Sequence, residues 1–195
     1  MTFVSAPTPS VQVDYATART MIKTGDLVSF FTSHEESFLH RFTTVPILYF
    51  CGSRIYHTGI AIWVNIAGED RLMLCEAVGV GRRILNMSHF EDHKMEVHVC
   101  PSTVDRDKVE KFMIDGLGEG YAFFDLIKIG AQEFFGKTPK PNTSDKRVCS
   151  ETAAEAWQAG GMQFDTTVVS PGMLRNILTS KGVPPTFVIN VNAGD

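Results

Sequence analysis

At 195 residues and 21.6 kDa the chain has the length of one domain with a sizeable core, and 44% hydrophobic against 21% charged residues excludes wholesale disorder. A net charge of -4 leaves no basic footprint, so neither nucleic acid nor an anionic membrane surface is expected as the main partner. The four cysteines (Cys51, Cys75, Cys100 and Cys149) form no C-x-x-C pair and join no histidine cluster, so neither a metal nor another cofactor is expected, and reduced thiols fit a cytoplasmic setting. Met1–Ala16 has no positive region and no long apolar run, and no later stretch has the length of a membrane span, so neither a signal peptide nor a transmembrane segment is predicted.

Taken in order, Met1 to Gln12 reads as a loose arm, and Tyr15 to Lys23 as a short helix stopping before Gly25. Residues 1–24 are therefore set apart from one domain spanning 25–195. Gly25-Asp26 turns into a buried strand from Leu27 to Phe31. Ser33 and Glu36 form a capping-box pattern for a short helix, followed by a loop through Pro46 to Tyr49. Tyr56 to Asn65 alternates as a strand, and a turn at Ala67-Gly68-Glu69-Asp70 leads into a second strand, Arg71 to Ala77, making a hairpin. Arg82 to Asn86 and Met95 to Pro101 are further strands, separated by the polar loop Ser88 to Lys94.

From Thr103 the period becomes helical. Thr103 is the expected cap of a helix carrying Val109, Phe112, Met113 and Leu117, and a second helix places Phe123, Phe124, Ile127, Ala131, Phe134 and Phe135 on one face. A third begins at Cys149 and stops at Gly160-Gly161; a fourth opens on Ser170-Pro171 and runs to Gly182. Thr186 to Val191 returns as a strand. Strands first and helices later predict an α+β domain with a largely antiparallel sheet packed against helices.

Cys149 falls in the first turn of its helix, where unpaired N–H groups and the dipole favour thiolate, and Arg147 adds a positive charge in the sequence nearby. A nucleophilic cysteine needs a base and a group that orients the base. Of the six histidines, His34, His40, His89 and His93 read as surface residues and His98 as either exposed or a satisfied core residue, whereas His57 enters a strand two residues before Gly59. Glu76 follows the apolar run Leu72 to Cys75, so it either caps an exposed strand end or is held near the core by a partner. If paired positions across the hairpin sum to 135, Glu76 lies opposite Gly59 with His57 as its diagonal neighbour on the same face. An even sum puts the two on opposite faces.

The stretches Gly25-Asp26-Leu27-Val28, His57-Thr58-Gly59-Ile60, Glu76-Ala77, Cys149-Ser150-Glu151 and Ser170-Pro171-Gly172-Met173-Leu174 occur in the order found in a known family. The chain, from about Gly25 to about Leu178, resembles the circularly permuted branch of the NlpC-type papain-like superfamily, which includes YiiX-like hydrolases and relatives of lecithin:retinol acyltransferase. The resemblance implies a permuted papain-like domain, a sheet or half-barrel packed against helices. It implies Cys149 as nucleophile, His57 as general base and then acid, and Glu76 as the residue orienting His57. Tyr121 resembles the family's site tyrosine, although Tyr121-Ala122-Phe123-Phe124-Asp125 stands where the family has tyrosine followed directly by aspartate; packing beside the helix is the alternative. The backbone N–H of Cys149 is the expected oxyanion donor. The implied activity is a cysteine hydrolase, an amidase or peptidase on a peptide such as a cell-wall fragment. An acyltransferase or lipid-directed thiol hydrolase, lined by aromatics such as Phe30, Phe31 and Phe42, and a non-catalytic peptide-binding module are the alternatives.

Overall fold

Apolar and alternating runs become strands in a computed structural model of the chain, which describes residues 11–32, 54–78, 81–118, 149–164, 168 and 170–190. The strands are β1 (Gln12–Val13), β2 (Leu27–Phe31), β3 (Ile55–Ile66), β4 (Glu69–Val78), β5 (Gly81–Asn86), β6 (Met95–His98) and β7 (Phe187–Ile189). The helices are α1 (Tyr15–Met21), α2 (Arg106–Asp115), α3 (Cys149–Ala159) and α4 (Pro171–Ser180), and a 3-10 turn occupies Met87–Phe90 within the expected polar loop. The result is an α+β fold, a seven-stranded sheet in the order β1-β7-β6-β2-β3-β4-β5 packed against helices. All pairings are antiparallel except that of β1 with β7. The short helix and loop expected over Ser33–Tyr49 and the helix expected over Phe123–Phe135 lie outside the described residues, as do Tyr121 and Arg147.

Within the stretch read as an N-terminal arm, Gln12 pairs with Val188, and Ala18 and Ile22 are buried in the core. Asp14 caps α1 by accepting a hydrogen bond from the Thr17 amide at 2.7 Å.

The β3–β4 turn decides the register. Ala67 and Gly68 both have positive φ, 54° and 87°, which makes a two-residue turn and pairs Ile66 with Glu69. Each later pair follows to Gly59 opposite Glu76, the odd sum that puts His57 and Glu76 on one face.

Each face of the sheet buries its own cluster. Leu27, Ile60, Ile62 and Cys75 pack with Val109, Ala153, Trp157, Leu174 and Leu178 beneath α2, α3 and α4. Val28, Phe30, Ala61 and Leu74 pack with Ala18, Met87, Met95 and Phe187 on the other face. The helix after Thr103 begins later than expected. Asp105 is its N-cap, accepting from the amides of Asp107 and Lys108, and Gly116 ends it, which leaves Leu117 beyond the helix and exposed. Ser170 caps α4 with Pro171 at its start, as the sequence predicts. Among the described residues no helix is long and apolar enough to cross a membrane.

Gly160 ends α3 against the start of α2, where the Asp105 amide donates to the Gly160 carbonyl at 2.9 Å. A Cβ there would stand 2.6 Å from Val104 Cγ1 and 2.9 Å from the Asp105 carbonyl oxygen. Gly160→Ala is expected to destabilise the fold by about 1–3 kcal/mol through overpacking, measured by urea unfolding. An unchanged midpoint would contradict this contact.

Candidate active site

Helix α3 begins at Cys149, and its first six residues are all buried. The helix is anchored at its other end, where the Trp157 indole donates to the Gly25 carbonyl at 2.8 Å, just ahead of β2. That anchor lays α3 along the sheet and brings its first turn to the start of β3. There the Cys149 sulfur meets the imidazole of His57 and the backbone of Thr58.

His57 pairs with Phe30 across β2, and the two rings lie 5.6 Å apart between centroids. The ladder shifts register between Phe30 and Phe31, so a bulge lies beside the imidazole; bulges of this kind re-aim side chains. Gly59 leaves the space that β3 and β4 need there, since a Cβ at this position would be 2.8 Å from Leu74 Cδ1 and 3.0 Å from the Cys75 carbonyl oxygen. The close approach expected beside a small residue therefore occurs, and β4 is the element that approaches.

His57 Nε2 lies 2.6 Å from Glu76 Oε2, leaving Nδ1 as the ring nitrogen for the sulfur. Glu76 is buried at 1% exposure, so it is the core-held carboxylate of the two alternatives, and it has two partners. Its second oxygen, Oε1, accepts from Arg83 Nε at 2.8 Å and Nη2 at 2.7 Å. Arg83 comes from β5, directly opposite Glu76.

Charge alternates along this row. Burial pushes the Cys149 thiol up, but the charge and hydrogen bond of His57, joined by Thr58, outweigh it and hold the thiol below its usual value. Burial likewise opposes charge on His57, yet the Cys149 sulfur and then the Glu76 carboxylate raise the imidazole to about 10. Burial also works against the Glu76 carboxylate, and His57 and then Arg83 bring it below the ordinary carboxylate range. The favoured state is thiolate, imidazolium, carboxylate, guanidinium, a row with no net charge. The titration belongs to the coupled cysteine–histidine pair rather than to either residue alone.

The other described cysteines contrast with Cys149. Burial pushes the Cys75 thiol up to about 12 and the Cys100 thiol to about 11. Neither has a histidine beside it to offset that burial.

His98 is a core residue. Its Nδ1 lies 2.9 Å from the Val183 carbonyl, and its neighbour Glu96 is held by Arg175 Nε at 2.7 Å. His89 is exposed, whereas His93 is half-buried and packs edge-on against Phe90 instead of lying free on the surface. Among the aromatics expected along a groove, Phe30 is fully buried in the core and Phe31 is partly buried.

Arg83 and Thr58 are the site residues that the sequence reading missed. The signal for Arg83 is Gly79-Val80 between two strand patterns: a two-residue link pairs Val78 with Gly81 and thereby Glu76 with Arg83. Thr58 offered only its place after His57. Among the described residues no group of three or more His, Cys, Asp or Glu is arranged to hold a metal ion. No protein-family model matches this chain, and no curated protein matches it.

Proposed function

We propose that this protein is a cysteine hydrolase, an amidase or peptidase that acts through an acyl-enzyme on a permuted papain-like scaffold. The observation that carries the reading is the row Cys149–His57–Glu76, in which one imidazole is held between a thiol below its usual pKa and a buried carboxylate. The chain order, with the histidine strand before the cysteine helix, supports the permuted arrangement.

The chemistry follows from the charges. The Cys149 thiolate adds to the carbonyl carbon of an amide, and the oxyanion that forms takes a hydrogen bond from the Cys149 amide, which as the first residue of α3 has no acceptor within the helix. The C–N bond breaks as the His57 imidazolium gives its proton to the leaving amine. A water then adds to the thioester while His57 takes its proton; the C–S bond breaks, releasing the acid and regenerating the imidazolium–thiolate pair. Glu76 holds the ring in place and balances its charge throughout. Transfer to an acceptor other than water uses the same steps. The depressed thiol weighs against a purely binding role, since holding a peptide requires no thiolate.

Iodoacetamide labelling across pH, with peptide mapping of each cysteine, tests the proposal. Cys149 is expected to react at a lower pH than an ordinary thiol does, while Cys75 and Cys100 in the folded protein stay unmodified. Hydrolysis of a peptide amide is expected to rise as Cys149 ionises and to fall as pH passes about 10, where the imidazole loses the proton that the leaving amine needs. Alkylation needs no such proton and shows no alkaline fall. Labelling of Cys149 no faster than that of an ordinary thiol, or hydrolysis that survives Cys149→Ala, would overturn the reading.

A further inference from the structure

We infer that Arg83 is a positioning residue of this site, fixing the Glu76 carboxylate so that only one of its oxygens is offered to His57. The inference rests on the hydrolase reading and assigns a function to a group outside the Cys–His–Glu row.

The two oxygens of Glu76 are divided between two partners. Both gripping nitrogens of Arg83 fall on Oε1, and His57 Nε2 falls on Oε2. A carboxylate held by one partner alone can rotate and exchange oxygens; held from both sides in this way it cannot. Its plane fixes the direction of the imidazole, and the imidazole in turn faces the sulfur. Arg83 is also more exposed than the three groups of that row, at 44%, so the guanidinium remains partly hydrated while its charge stabilises a carboxylate that is almost fully buried.

Among the described residues, the groups facing Glu76 come from three elements: His57 from β3, Arg83 from β5 and, through the imidazole, Cys149 from α3. The adjacent thiol, Cys75, belongs to the cluster on the opposite face, and the adjacent Arg82 donates to the Phe112 carbonyl in α2. Among these groups Arg83 is the only cation besides the imidazolium that holds Glu76 ionised. Without it, burial acts on the carboxylate with one opponent fewer, so Glu76 takes up a proton at higher pH. A protonated Glu76 no longer balances the imidazolium, and the thiolate pair is lost with it.

Arg83→Met, which keeps the length of the side chain and removes its charge, separates these effects. The acid limb of Cys149 alkylation is expected to move up by about one pH unit, and kcat for amide hydrolysis to fall about tenfold with little change in KM. Arg83→Lys is expected to restore the limb but only part of kcat, because one ammonium supplies the charge without the two-nitrogen grip. A thermal melt of each variant reports folding separately. An alkylation profile for Arg83→Met that superimposes on the parent's would overturn the role of Arg83, even where the parent labels rapidly at Cys149. Slow labelling of the parent itself would instead overturn the hydrolase reading, so the two failures are distinguishable.

Discussion

Replacing His57 with alanine is expected to lower hydrolysis about 10³-fold, the scale of a lost general acid–base, and to slow alkylation of Cys149 near pH 6.5 about tenfold or more. The two losses have different origins. The alkylation loss is one of ionisation: the imidazole is the main influence holding the thiol down, and without it burial is opposed by weaker influences, Thr58 and the start of the helix. A thiol at the ordinary value of about 8.5 is about 1% ionised near pH 6.5, and burial lowers that fraction further. The smaller thiolate population is more nucleophilic, which returns part of the rate. Hydrolysis loses more because the leaving amine then departs without a proton. Rates for both reactions across pH, with a thermal melt to show that the variant is folded, check the prediction. Equal losses in the two would mean that His57 acts only on ionisation, and no loss in either would remove it from the chemistry.

Replacing Asp26 with alanine is expected to cost about 3 kcal/mol of stability, the scale of a buried pair broken from one side. Asp26 is fully buried, and three donors converge on its carboxylate: the Lys23 amide at 2.8 Å, the Cys100 amide at 2.9 Å and Arg106 Nη1 at 2.8 Å. Alanine leaves both amides without that acceptor, each a loss of about 1–3 kcal/mol where the group stays buried, although Arg106 is partly exposed and recovers some hydration. Arg106 also donates to the carbonyls of Thr24 and Cys100, so the whole junction of β2, β6 and α2 loosens. For a chain of this length about 3 kcal/mol corresponds to a fall in Tm of about 6–12 °C. The Asp26→Asn variant keeps an acceptor, and its Tm is expected to fall between those of the parent and Asp26→Ala. A Tm for Asp26→Ala within one or two degrees of the parent would contradict the count of donors.

Local pattern made much of this legible before any coordinates. The alternation of Tyr56 to Asn65, the apolar run Leu27 to Phe31 and the proline after Ser170 each describe one element, and each is where its pattern points. Cys149 at a helix start is local information of the same kind. Thr103 misled because threonine and aspartate are both capping residues, and only the backbone shows Asp105 in that role. The pairing of His57 with Glu76 depended on a turn whose register the sequence left open between odd and even sums. Arg83 required a further step, a second hairpin carried over from the first. Gly25-Asp26 was legible as a motif but not as what it does: it gathers α2, α3 and the segment after β6 around the start of β2.

Strand β1 has a consequence for the opposite end of the sheet. Its two residues cover the outer side of β7, with the Val188 amide donating to the Val11 carbonyl and the Asn190 amide to the Val13 carbonyl. Cleaving the chain ahead of α1 would uncover a short hydrophobic rim, Phe187–Ile189, and leave the Val188 and Asn190 amides to seek another backbone. The first residues of the described chain thus close the outer side of β7, at the end of the sheet order opposite β4 and β5.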